Sequence, residues 1–300
     1  MSLSQRTGES AAKRVLRRVG WAVRDRWSGR PVVREVQGVR MTLPWSHRLP
    51  DYARVVPAYG QNLVKVATAL QHGDEPLTVL DVGANVGDST LQILHATDAH
   101  VLCVEADGFF LEFLHTNVDG DVRVSVEESL LTAGADDGVA MAPVRVGGTT
   151  RFEPGTSALT APSVSTDELR SRYPAFEELR LAKSDTDGYD VELIPAIART
   201  WSSSRPVLFF EYDHVLSRAV GNDPIAVWGD LIELGYAEVV AWDNYGEVIG
   251  RFAIGDVQAE AAVLDEPSDD RAHPYWDVAV AHTDDVEGLA ALRRLVPANS

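Results

Sequence analysis

A single cysteine, Cys103, stands in 300 residues, so no disulfide forms within the chain. Its neighbours are apolar, and it reads as a small buried hydrophobe in a reducing, cytoplasmic setting. Positive charge is scarce too. Against 45 Asp and Glu there are 27 Lys and Arg, a net charge of −18, which argues against nucleic acid as a partner. No stretch approaches the roughly 18 apolar residues of a membrane span. Arginines interrupt the apolar residues near the N-terminus, so no secretory h-region is expected. The patterns H-E-x-x-H, C-x-x-C and G-x-S-x-G are missing, which leaves zinc hydrolysis and serine-esterase chemistry without support. No repeat with a period of about 20–50 residues occurs.

The charge that is present is unevenly placed. Residues 1–30 hold Arg6, Lys13, Arg14, Arg17, Arg18, Arg24, Arg26 and Arg30 against Glu9 and Asp25. Within them, residues 10–27 read as a basic amphipathic helix, with Leu16, Val19, Val23 and Trp27 near one face. Such a helix either rests on the domain, the favoured reading, or makes peripheral contact with the anionic inner face of a membrane. Residues 31–75 form an N-terminal cap segment: a β stretch, a loop with Trp45, His47 and Pro50, and a helix from about Pro57 to Leu70. Residues 76–300 carry the main domain.

In that domain short apolar strands (TVLDVG, HVLCVEA, VRVSVEE, LRLAKSD, PVLFFEY) alternate with helical patterns. Runs that are apolar throughout belong to strands covered on both faces. The expected fold is therefore α/β and Rossmann-like, with helices on both faces of a mostly parallel sheet. Two later strands, Tyr236–Trp242 and Tyr275–His282, bring the expected count to seven. An insert at about 138–163 contains a hairpin turning at Gly147-Gly148 and a loop of small residues. Ser165 with Glu168 forms a capping-box pattern at the next helix.

The richest segment is LDVGANVGDST, Leu80 to Thr90. It closes a strand and opens a helix through Asp81, Gly83, Asn85 and Gly87, a turn whose glycines permit a sharp bend and close approach of a ligand. A phosphate-binding P-loop requires Lys where Asp88 stands. A dinucleotide fingerprint requires glycines where Asn85 and Asp88 stand, and Asp88 at a helix N-terminus repels a pyrophosphate. An S-adenosylmethionine (SAM) loop tolerates these acids, because that ligand carries an amino group, a sulfonium and no phosphate. About twenty residues on, Glu105 ends the second strand, placed for ribose hydroxyls.

LDVGANVGDST, the strand ending in Glu105, VSTDEL (164–169), LAKSDTDGYD (181–190) and FFEYDH (209–214) occur in the order found in FkbM-type methyltransferases, which the chain resembles over roughly 77–236. The usual K-x-D-x-E-G after the fourth strand is here Lys183, Asp185, Asp187 and Gly188, with Asp in place of Glu. The resemblance implies a class I methyltransferase fold and SAM-dependent O-methylation of a hydroxyl on a sugar, glycolipid, polysaccharide or polyketide-type product. Rival readings are a SAM-binding scaffold without catalysis and an NAD-binding oxidoreductase.

Roles follow from position. Asp81, Gly83, Asn85, Gly87, Asp88 and Glu105 are expected at the cofactor, with Glu128 at adenine. Asp185, at the carboxyl end of the fourth strand where open α/β sheets bind ligands, is the first choice for general base. Asp187 and Lys183 are its expected helpers, and His214 is an alternative base. Asp185 and Asp187 also present oxygen ligands that suit Mg²⁺, or else shape the turn and cap the next helix. His47, Glu211 and Asp213 are candidates for the acceptor pocket, with a plain structural role as the alternative for each.

Overall fold

The computed structural model describes residues 20–21, 24, 26–73, 75–134, 141–146, 149–154, 161–265 and 274–297. The chain opens with an antiparallel hairpin, β1 (Pro31–Val36) and β2 (Val39–Pro44), turning through Gln37 and Gly38 at φ 50° and 85°. Two positive φ values in a two-residue turn match the twist of the flanking strands. Helices α1 (Leu49–Val55) and α2 (Gln61–Leu70) follow. The expected Pro57–Leu70 helix starts later, because Gly60 takes a left-handed φ of 70° at its N-cap. The expected loop around Pro50 is instead the first turn of α1, a position proline favours.

The core then alternates β3 (Thr78–Val82), α3 (Asp88–Ala96), β4 (His100–Val104), α4 (Gly108–Val118) and β5 (Val124–Glu127). The insert follows: β6 (Leu130–Thr132), a hairpin of β7 (Met141–Val146) and β8 (Thr149–Pro154), and β9 (Ser163–Ser165), which pairs in parallel with β6. Val146 stands opposite Thr149, which makes Gly147 and Gly148 the connection. Those two residues, and loop residues 155–160, lie outside the described residues. Next come α5 (Thr166–Arg172), β10 (Leu181–Ser184), α6 (Asp190–Thr200), β11 (Val207–Tyr212), α7 (His214–Ala219) and α8 (Ala226–Glu233). Both bonds of the Ser165–Glu168 capping box are present at α5. The chain finishes with β12 (Tyr236–Asp243), β13 (Val248–Ala253), α9 (Val257–Glu260), β14 (Trp276–His282) and α10 (Val286–Leu295).

The main sheet has the order β13-β12-β14-β11-β10-β3-β4-β5. Strands β11, β10, β3, β4 and β5 are mutually parallel, and β14 runs against both β11 and β12. The expected count of seven strands is corrected to eight. The extra strand, β13, pairs antiparallel with β12 at the edge. It was hidden because VIGRFA is short, largely exposed and without apolar-polar alternation, although the Asn244-Tyr245-Gly246 turn before it is a hairpin signal.

Strand alternation sends two sets of side chains to two cores. Val79, Val101, Cys103, Leu181, Val207 and Phe209 pack with α2, α3, α4 and α10. Leu80, Val82, Leu102, Ala182, Leu208 and Phe210 pack with α5, α6 and α8. Since α3 follows β3 onto the first face and α6 follows β10 onto the second, the strand order reverses between β3 and β10. The carboxyl ends of those strands flank the crevice where such sheets bind ligands. A third cluster, with Val36, Met41, Leu43 and Leu49, joins the N-terminal hairpin to Val86, Phe110 and Phe113.

The proposed basic helix at 10–27 falls mostly outside the described residues. Of its part that is described, Trp21 Nε1 and Arg24 Nη1 both donate to Asp51 Oδ2. No helix among the described residues is long and apolar enough to cross a membrane.

Candidate active site

Sheet register builds the site. Lys183 is the direct register partner of Asp81 on one side and of Phe209 on the other, and Glu211 pairs with Asp277 one pleat further along. Registered residues share a face, so Asp81, Lys183, Glu211 and Asp277 all belong to the α2/α3 face at the strand ends. Asp81 is completely buried. Lys183 Nζ lies 2.9 Å from its Oδ1, and Thr90 Oγ1 donates to its Oδ2 at 2.7 Å. The same ammonium donates to the carbonyls of Val82 (3.3 Å) and Gly83 (3.0 Å) and stands 3.7 Å from Asp185. Burial works against the charge on Lys183, but Asp81 and Asp185 outweigh it and raise its pKa above the usual lysine range.

The glycine loop needs its glycines for space as well as torsion. Gly83 has φ 70°, and a Cβ there would collide with the Asp185 carbonyl oxygen. Gly87 has φ 81°, and a Cβ would meet Leu114 Cδ1 at 2.7 Å. Asn85 holds φ 51°, a left-handed position that Asn accepts better than most residues. Its N–H donates to Glu105 Oε2 at 2.8 Å. The other oxygen of Glu105 accepts from the N–H groups of Ala106 (2.9 Å) and Asp107 (2.7 Å). Burial pushes the Glu105 pKa up even against these three donors.

At the end of β10 the chain turns through Asp187 (φ 51°) and Gly188 (φ 108°). The organiser of this turn is Asp190. Its Oδ1 accepts from Ser184 Oγ (2.6 Å), Thr186 N (3.0 Å) and Thr186 Oγ1 (2.9 Å), and its Oδ2 from Gly188 N (3.3 Å). Burial, with Asp185 nearby, pushes its pKa up to about 6. Asp185 is left exposed at the rim, while Asp187 does not line the cleft.

That cleft opens to solvent and, with the open space at its mouth included, holds about 690 Å³. Leu49, Tyr59 and Asn62 come from the N-terminal segment, Asp88 and Gln92 from α3, and Lys183, Asp185, Phe209, Glu211, Tyr275 and Asp277 from the sheet. Its ionisable walls are mostly carboxyls, which hold one another's protons. Glu211 is pushed well above the usual carboxyl range, first by burial and then by Asp185, Asp190, Asp277 and Asp213. Asp277 is pushed up to about 7 by burial and by Asp185 and Asp243, against a 2.7 Å hydrogen bond from Asn62 Nδ2. The phenols of Tyr59 and Tyr275 are also raised, by burial and by these carboxylates.

The structure thus gathers Asp88, Lys183, Asp185 and Glu211 at one cleft, with Asp81 and the glycine loop behind Lys183. His47 faces this group through Asn85 and Asp88, its pKa lowered by burial against the pull of Asp88. Other candidates lie elsewhere. Asp213 caps α7 by accepting from Leu216 N at 2.8 Å. His214 bonds Asp265 through Nδ1 at 2.9 Å and meets Tyr212 edge-on, in the layer across the sheet. Glu128 is exposed and bonded to His115; the buried acid at the end of β5 is Glu127, with Ser129, Arg172 and Tyr173 around it. Among the described residues no group of three His, Cys, Asp or Glu side chains is placed to hold a metal ion, so the Mg²⁺ reading of Asp185 and Asp187 has no third ligand.

Sequence reasoning missed Asn62, Tyr59, Tyr275, Asp277 and Asp190. Two left a signal. Asp277 is the one acid inside the apolar run WDVAVA, and Asn62 interrupts the apolar face of α2 formed with Leu63, Val66 and Leu70.

No family model matches the chain, and no curated protein matches it. Solved structures do align with it. A precorrin-6y C5,15-methyltransferase from Geobacter metallireducens is 12% identical, with 74% of this chain and 89% of that one covered and a TM-score of 0.40. A human methyltransferase 10 domain containing protein is 12% identical over 81% and 88%, with a TM-score of 0.43. TYW2 of P. horikoshii, solved with MeSAdo, is 14% identical over 84% and 71%, with a TM-score of 0.41. Likeness this slight carries no functional weight of its own.

Proposed function

We propose that this chain is a SAM-dependent O-methyltransferase of the FkbM type, acting on a hydroxyl of a sugar, glycolipid, polysaccharide or polyketide-type product. One observation carries the reading: the acid-glycine loop and Glu105 stand at the strand ends beside the switch point, next to a cleft whose ionisable walls are almost all acids. The cationic side chain that lines this cleft among the described residues, Lys183, is already paired with Asp81. Such a site disfavours a pyrophosphate and suits a cofactor with an ammonium and a sulfonium.

When bound, the cofactor supplies an electrophilic methyl group with a good, neutral leaving group. The chain has to align an acceptor oxygen, take its proton and keep water away. Asp185, exposed at the rim of the cleft beside Lys183, takes or orients the acceptor proton, a contribution typically worth about 100- to 10,000-fold. The Glu105 carboxylate has one lone-pair site left, on Oε2, for a ribose hydroxyl once its three backbone donors are counted. Leu49, Tyr59 and Phe209 furnish apolar and aromatic wall.

Calorimetric titration with SAM and S-adenosylhomocysteine tests the cofactor, with Asp81→Ala and Glu105→Ala as controls. Micromolar binding lost in both variants supports the reading. No binding of either ligand, alone or with candidate acceptors present, sinks it. Binding that survives with no transfer to any hydroxyl acceptor, and that ignores Asp185→Asn, favours the scaffold alternative.

A further inference from the structure

Asp81 cannot simply receive the ammonium of a cofactor, because an ammonium is already there. Lys183 Nζ makes the three contacts an incoming amine would make at the head of the glycine loop: Asp81 Oδ1 at 2.9 Å, the Gly83 carbonyl at 3.0 Å and the Val82 carbonyl at 3.3 Å. The two carbonyls accept hydrogen bonds from it, and Asp81 Oδ1 is held as an ion pair. Both partners are buried, Lys183 at 4% and Asp81 at 0% exposure, and two ammonium groups at one buried carboxylate would repel each other. Yet Lys183 has another anion within reach. Asp185 Oδ2 lies 3.7 Å from Nζ, two residues on in the same strand end, and its side chain is about half exposed.

We propose, resting on the methyltransferase reading, that Lys183 is a placeholder: it fills the ammonium position at Asp81 and the loop carbonyls until the cofactor's amino group arrives, and then swings to Asp185. The exchange conserves charge. Asp81 stays paired throughout, which matters because a buried carboxylate without a partner is costly. The displaced ammonium lands on the residue proposed to handle the acceptor proton. Lys183 is thus a positioning residue that acts through Asp81 and then Asp185.

The test compares two ligands that differ at the amino-acid end. S-adenosylhomocysteine carries the ammonium; 5′-methylthioadenosine keeps the nucleoside and thioether and lacks it. In wild type the first must displace Lys183 and the second need not. Lys183→Met is expected to tighten S-adenosylhomocysteine about tenfold and leave 5′-methylthioadenosine unchanged. Asp185→Asn, which leaves the Lys183–Asp81 pair intact and so is expected to fold, removes the landing site. It should weaken S-adenosylhomocysteine three- to tenfold, again without effect on the shorter ligand, and that weakening should vanish in the Lys183→Met background. A merely structural Lys183 predicts equal losses for both ligands in Lys183→Met and no change for either in Asp185→Asn; that pattern, or a selective loss of S-adenosylhomocysteine in Lys183→Met, overturns the proposal. Should Lys183→Met not fold, the Asp185→Asn comparison decides alone. If neither ligand binds wild type, the methyltransferase reading itself has failed.

Discussion

Asn62 donates its side-chain amide to Asp277 Oδ2 at 2.7 Å across 215 positions of sequence. The bond ties the helix before the main sheet to its central antiparallel strand and fixes one wall of the cleft. Asn62 is almost completely buried, so its donor is spent on this carboxylate and not on water.

Asp277 makes stability depend on pH. Its folded pKa of about 7 lies above the ordinary value of 3.8. Between those values the folded state holds a proton that the unfolded chain has released, so stability present at pH 4 is lost as pH rises towards 7. Asp277→Asn should match wild type near pH 4. At pH 8 it should be the more stable protein by about 2 kcal/mol, a figure reduced from the full shift because the cleft is open to water. Asn62→Leu removes the donor that opposes the shift and should steepen the loss. Urea unfolding at pH 4, 6 and 8 reads all three proteins. A pH-independent difference between wild type and Asp277→Asn would rule out this account.

The Lys183–Asp81 pair should behave as a unit. Lys183→Met strands the buried Asp81 carboxylate, which costs about 3–5 kcal/mol, whereas Asp81→Asn costs less because Lys183 still has Asp185 at 3.7 Å. Lys183→Met should lower the urea midpoint strongly and Asp81→Asn less, and the double variant should recover much of the Lys183→Met loss because no charge is stranded. A double-variant cost equal to the sum of the singles would show that the two residues act separately.

Gly83 and Gly73 separate backbone strain from steric exclusion. Both have positive φ, 70° and 62°. At Gly73 an added Cβ meets nothing, so Gly73→Ala should cost only the left-handed penalty of about 1–2 kcal/mol. At Gly83 the Cβ runs into the Asp185 carbonyl, part of the backbone. Gly83→Ala should therefore lose several times as much, about 4 kcal/mol or more, and shift the strand end that presents Asp185. Thermal melts that rank the two variants equally would refute the steric argument.

How much of this was legible beforehand depends on range. Leu80–Thr90 displayed its turn because glycine torsion and strand-end position are local. The capping box at Ser165 was visible for the same reason. The parallel core strands announced themselves by being apolar on both faces. What stayed hidden was made by register. Nothing in the one-dimensional pattern says that Lys183 falls opposite Asp81 or that Glu211 falls opposite Asp277, and so nothing said that Asp81 would be occupied from within. His214 misled in the opposite sense. Three residues beyond Glu211, it follows a strand whose alternation sends Tyr212, and with it the His214 ring, to the other core.

Asn117 latches the N-terminal segment to the glycine loop, and its removal gives a prediction that reaches the site from a distance. Its Oδ1 accepts from Thr42 N at 2.7 Å, and its Nδ2 donates to the carbonyls of Thr42 (2.9 Å) and Val86 (2.8 Å). Val86 is fully buried in the cluster shared with Met41 and Leu43, so water cannot replace a lost bond there. Asn117→Ala should cost about 1–3 kcal/mol for the groups left unsatisfied. Asn117→Asp keeps the acceptor for Thr42 but loses both donors, so it should not rescue the Val86 carbonyl. In both variants amide exchange should quicken at residues 39–44 and 83–87, while β10 and β11, held by other contacts, keep wild-type protection. If exchange quickens only in β2, the latch serves the hairpin alone. If it quickens in the loop as well, the N-terminal hairpin is part of what holds Gly83, Asn85 and Gly87 in their left-handed turn.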